Sequence, residues 1–115
     1  MSFHLLLLLI LLTPQLFQGT EGIFIKVDPP STYEGGNFWV QCRVPRAKEN
    51  RKVIIRAEGL MSSEFEVRGV DAPTVFVRLV TEVPCWDAIV TSCILERNNK
   101  VMSAVVKVPV NGCGR

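Results

Sequence analysis

The sequence predicts an all-β fold, a two-sheet antiparallel β-sandwich of about seven strands, with a barrel as the nearest alternative. Short runs alternate apolar and polar residues, turn signals recur about every eight to twelve residues, and no stretch carries helical periodicity. The 115 residues are 48% hydrophobic and carry a net charge of only +2. That balance is too small to imply a polyanionic partner by itself.

Residues 1–22 are set apart from this fold. Leu5–Leu12 is an unbroken apolar run too short to span a bilayer, and the polar Thr13-Pro14-Gln15 follows it. The segment reads as a signal peptide cleaved anywhere from Gly19 to Gly22, and the small residues in Thr20-Glu21-Gly22 favour a mature start at Ile23. The rest, 23–115, is expected to be one secreted, extracellular domain. No second apolar run approaches a membrane span, and Gly112-Cys113-Gly114-Arg115 is no lipid-anchor tail, so neither a membrane span nor an anchor is expected.

Ile23 to Asp28 alternates and is closed by Pro29-Pro30, as an edge strand would be where its backbone donors vanish. Gly35-Gly36 turns the chain into a strand from Gly36 to Arg43, with Phe38, Val40 and Cys42 on one face and Asn37, Trp39 and Gln41 on the other. A polar loop from Val44 to Asn50 leads to a strand over Arg51 to Glu58, with Val53, Ile55 and Ala57 inward. Gly59 to Ser63 reads as a turn and Glu64 to Val70 as a weak strand bearing Phe65 and Val67. Thr74 to Glu82 is a strand by its β-branched composition, without clean alternation. Val83-Pro84-Cys85-Trp86-Asp87 forms a corner in which Trp86 is expected to plug the bottom of the core. Ala88 to Arg97 then carries Cys93, and Asn98-Asn99 tolerates the positive φ of a two-residue hairpin turn before a return strand from Lys100 to Val110.

A domain of about 93 residues sits near the small end of what one core supports, so covalent staples are expected. Cys42, Cys85, Cys93 and Cys113 should form two disulfides in an oxidising compartment. Three connectivities remain open to them.

With these strands in place, the mature chain resembles an immunoglobulin-superfamily domain. Glu34-Gly35 leading by alternation into Cys42 is similar to the family's second strand. Asp87, six residues before Cys93, matches the acidic position ahead of the second core cysteine. The Asn-Asn hairpin and the valine-rich last strand resemble the family's final hairpin. The resemblance implies a compact immunoglobulin-like sandwich in which Cys42 pairs with Cys93 through the core and Cys85 with Cys113 at one pole. The chain departs from the family at Ile55, where a tryptophan is usual, and at Thr91, where a tyrosine ties the corner. Those departures leave room for another secreted sandwich, such as a fibronectin-type domain or one similar to the prolactin-inducible secretory proteins, whose last hairpin this one faintly resembles.

Catalytic chemistry is scarce. The only histidine, His4, falls in the expected leader, which deprives the mature chain of the commonest general base and zinc ligand. Glu64 and Glu66 share one strand face and read as a solvated pair. No phosphate-cradling loop is present, because Gly35-Gly36 precedes a strand. The expectation is a non-enzymatic protein without cofactor or metal.

Three surfaces are candidates for binding. Arg43, Arg46, Lys48, Arg51, Lys52 and Arg56 form a basic run opposed only by Glu49, suited to an acidic protein surface or a sulfated glycan. Nucleic acid is not expected, since no aromatic residues interleave these charges. The faces turned outward by alternation place Ile54, Val90, Ile94, Val101 and Val105 in an apolar band on one sheet, and Trp39 on the other. The expected function is recognition of another protein, or self-association as a homodimer, through an outer sheet face and loops. The alternative is a carrier of a small apolar ligand held between the sheets.

Overall fold

The computed structural model describes residues 18–20 and 22–113. His4 and most of the expected leader lie outside the described residues. Among the described residues nine strands fall in chain order: β1 (Gln18–Thr20), β2 (Ile23–Asp28), β3 (Thr32–Tyr33), β4 (Phe38–Arg43), β5 (Asn50–Ala57), β6 (Met61–Glu66), β7 (Val75–Val80), β8 (Ala88–Arg97) and β9 (Val101–Asn111). They form two sheets, ordered β1-β2-β4-β7 and β3-β9-β8-β5-β6. Every pairing is antiparallel except β3 with β9. The fold is an all-β sandwich, as the alternation predicts.

Period-two alternation fixes which residues meet between the sheets. Ile23, Ile25, Phe38, Val40 and Cys42 from one sheet, and Val53, Ile55, Ile89, Cys93, Leu95 and Val108 from the other, are each at most 1% exposed. Cys42 and Cys93 are bonded across this core, and Cys85 is bonded to Cys113. Both bonds are those the family resemblance implies. Strand register packs the core disulfide laterally: Cys42 lies between Ile25 and Phe76, and Cys93 between Ile55 and Ala104. Ile55, fully buried, is thus the direct neighbour of the core disulfide on β5.

β2 ends at Asp28, where a cis peptide bond leads into Pro29-Pro30. The chain does not merely stop there. It crosses to the second sheet, where β3 runs parallel to the end of β9, with Thr32 opposite Val110. A two-residue strand has too little sequence to show alternation, so it was unreadable in advance. At the other end, β1 pairs with β2, Thr20 opposite Ile23, so Gln18–Thr20 of the expected leader form a hairpin with the first predicted strand.

Several boundaries shift. The strand expected over Glu64 to Val70 is β6, Met61–Glu66, because the turn closes early: the Leu60 N–H donates to the Ala57 carbonyl at 2.9 Å and Met61 pairs with Ala57. The Asn98-Asn99 turn needs no positive φ, since Glu82 is the only described non-glycine residue that has one. Instead the Asn98 N–H donates to the Glu49 carbonyl at 3.2 Å, which ties the hairpin to the neighbouring loop. Buried Asn50 reinforces that tie, donating to the Pro45 carbonyl at 2.8 Å and accepting from Arg97 Nε at 2.9 Å.

The corner after β7 is pinned by backbone bonds in both directions, Gly35 N–H to the Val83 carbonyl at 2.7 Å and Val83 N–H to the Gly36 carbonyl at 3.1 Å. Val83, 1% exposed, is the residue that plugs this end of the core. Trp86 is not the plug: it is 44% exposed and lies over the Gly59 turn. One side of the sandwich is closed by the Phe65 and Phe76 rings, 4.9 Å between centroids, with the Arg78 guanidinium 4.3 Å above Phe65.

Candidate protein-contact surface

The outer face of the β1-β2-β4-β7 sheet is built from alternate residues of three strands. Register sets them in rows: Asp28, Trp39 and Leu79; Lys26, Gln41 and Val77; Phe24, Arg43 and Val75. Trp39 is 51% exposed, and Val75, Val77 and Leu79 are 43%, 42% and 39% exposed. Every outward residue of β7 is therefore apolar, and Trp39 lies directly beside the last of them. Gln41 and Arg43 of β4 border the stripe, and beyond them β2 presents Lys26, Asp28 and the exposed Phe24. Large exposed apolar groups gathered on one face, with a tryptophan among them, are what a protein contact requires.

Sequence reasoning placed Trp39 outward but missed its neighbours. In Val75-Phe76-Val77-Arg78-Leu79-Val80 the outer residues are as apolar as the inner ones, and Arg78 occupies an inner position that opens to solvent at the sandwich's side. Alternation is invisible in such a strand. Only the pairing with β4 separates its two faces.

On the other sheet, the predicted band is present in register but broken in surface. Ile54 stands opposite Ile94, and Ile94 opposite Ser103; Val105 faces Ser92, Val101 faces Glu96, and Val90 faces Lys107. Val101 and Val105 are exposed, Val90 and Ile94 are half-buried, and Ile54 is only 6% exposed. The Lys52–Glu64 ion pair, 3.2 Å long, crosses the face beside Ile54. Arg56, Ser92 and Ser103 separate the remaining apolar groups, so this face offers isolated contacts where the Trp39 face offers a continuous one.

The basic run is divided among several surfaces. Arg43 lies on the outer face of the first sheet, and Lys52 and Arg56 lie on the outer face of the second. Lys48 is exposed in the loop between β4 and β5, and Arg51 is exposed at the bulge that opens β5. Arg46 has a structural use, since its Nη1 donates to the carbonyls of Val70 and, at 3.0 Å, Ala72. Arg51 and Lys52 join Glu66, Arg68 and Glu96 around a shallow cleft of about 120 Å³ in which cations and carboxylates alternate. Glu66 is paired there with Arg68 at 3.1 Å, and Glu64 with Lys52, so both carboxylates of the predicted pair have cationic partners.

These features define a disulfide-stapled β-sandwich with an exposed apolar face. Its two disulfides are typical of extracellular proteins. No helix among the described residues is long and apolar enough to cross a membrane. Compared with known proteins, the chain matches no family model and no curated sequence.

Proposed function

We propose that this protein is a secreted, non-enzymatic, immunoglobulin-like binding module that recognises another extracellular protein through the outer face centred on Trp39. The observation that carries the reading is the continuous exposed stripe of Trp39, Leu79, Val77 and Val75 on one sheet. Burying a half-exposed tryptophan flanked by aliphatic side chains removes a large apolar area from water at small entropic cost, which is why tryptophan dominates contact energetics. Arg43, Lys26 and Asp28 at the border would supply orientation and salt-dependent steering. The carrier reading is disfavoured, because Phe38, Val40, Ile55, Ile89, Leu95 and Val108 fill the space between the sheets.

The test is affinity capture from extracellular fluid with the wild-type protein, Trp39→Ala and Val101→Lys. A partner held by wild type and by Val101→Lys should be lost with Trp39→Ala, a hot-spot truncation that weakens binding by about thirtyfold or more. Equal capture by all three would defeat the reading.

A further inference from the structure

The edge of the same sheet carries a second property. The Val44 N–H donates to the Thr74 carbonyl at 2.9 Å, in line with the register that pairs Arg43 with Val75 and Trp39 with Leu79. Thr74 and Val44 are therefore a hydrogen-bonded pair of the antiparallel ladder. Counting by twos, Phe76, Arg78 and Val80 direct their backbone groups at β4, and Val75, Val77 and Leu79 direct theirs away from it. β7 is the last strand of its sheet, so these groups lie on a free edge. Among the described residues the group found there is Arg78 Nη1, which donates to the Val77 carbonyl at 3.1 Å and leaves that oxygen a second lone pair. No lysine, proline or bulge interrupts the strand; its one charge, the inward Arg78, is held over the Phe65 ring and blunts the edge only at the Val77 carbonyl.

We propose that β7 pairs antiparallel with β7 of a second copy of this chain, with Val77 opposite Val77 across a two-fold axis. Two-fold pairing of like strands must place residues of the same face opposite each other, so the axis passes between the copies of Phe76, Val77 or Arg78. Centring on Phe76 carries the ladder beyond the strand and sets Leu79 against Pro73, which has no N–H. Centring on Arg78 sets two guanidinium groups directly opposite at the closer, non-hydrogen-bonded spacing, and like charges so placed repel. Centring on Val77 matches Val75 with Leu79 and Val77 with itself, so every free N–H of the strand meets a carbonyl. It also puts Arg78 opposite Phe76 of the second copy, so no like charges oppose across the seam.

Joining the edges makes the Trp39 face continuous across both copies. The inference extends the proposed contact surface but rests on the backbone edge, not on what that face binds. A single pair of short strands is a small contact, so a micromolar Kd is expected and the measurement is made at about 100 μM.

Sedimentation of the purified, secreted protein should give twice the monomer mass at that concentration. Val77→Lys, on a side chain 42% exposed in the monomer, should weaken association at least tenfold by bringing two ammonium groups together on the axis. Val75→Lys and Leu79→Glu should each weaken it as well, and the two combined in one chain should restore it, because only the Val77-centred register sets residue 75 against residue 79. A monomeric wild type, a Val77→Lys dimer, or a double variant that stays monomeric would each overturn the proposal. Trp39→Ala separates the two ideas: it should keep the dimer and lose the captured partner. A monomeric wild type that still captures its partner would defeat the pairing alone.

Discussion

Cys42 and Cys93 join interior strands of the two sheets with their Cα atoms 5.8 Å apart, and each is enclosed laterally by apolar neighbours. The bond closes a loop across a sequence separation of 51, and chain-entropy arguments give about 4 kcal/mol for a closure of that length. Replacing both cysteines with alanine should lower unfolding free energy by about that amount in urea titration. A loss below about 1 kcal/mol would mean that packing alone holds the sheets together.

Arg46 anchors the loop after β6 by donating to the Val70 and Ala72 carbonyls. Arg46→Ala should change the stability of the whole domain by less than about 0.5 kcal/mol, since these bonds are exposed. Its effect should be local: amide exchange at Ala72, whose N–H donates to the Gly69 carbonyl, should speed about tenfold. The Val67 amide, held by the Arg51 carbonyl, should be unchanged. Equal acceleration at both would assign Arg46 a global role.

The core was legible in the sequence because buried strands with a solvated outer face alternate, and Phe38, Val40, Cys42, Val53, Ile55 and Ala57 all lie inward as their spacing requires. The disulfide bonding could not be read from spacing and came through the family resemblance. β7 hid its faces because both are apolar, and with them the stripe beside Trp39. Trp86 misled for a different reason. Its size suggests a core position, but Val83 already fills that end, and the tight Gly59 turn gives the indole a surface to lie on.

Ile54 is an outward residue that is nonetheless buried, enclosed by Ile94, Glu64 and the Lys52–Glu64 ion pair. Ile54→Ala should therefore cost about 2 kcal/mol in thermal or urea unfolding, the range of a core truncation. Val101→Ala, at 64% exposure, should cost less than about 0.5 kcal/mol. Similar small losses at both would make the predicted band a free surface after all.

Gly59 has φ +79, and a Cβ there would lie 2.8 Å from Cη2 of Trp86; Gly69 has φ +93 with nothing within 4 Å of its Cβ position. The two glycines separate backbone strain from crowding. Gly69→Ala should show strain alone, about 1 kcal/mol. Gly59→Ala should cost about 1 kcal/mol more, because the exposed indole must leave the turn and forfeit its packing. In a Trp39→Phe background, where Trp86 is the remaining tryptophan, Gly59→Ala should also shift the emission to longer wavelength as the ring enters water. Adding Trp86→Ala should remove the difference between the two glycine variants. A difference that persists without the indole would place the extra cost in the backbone of the β5–β6 turn.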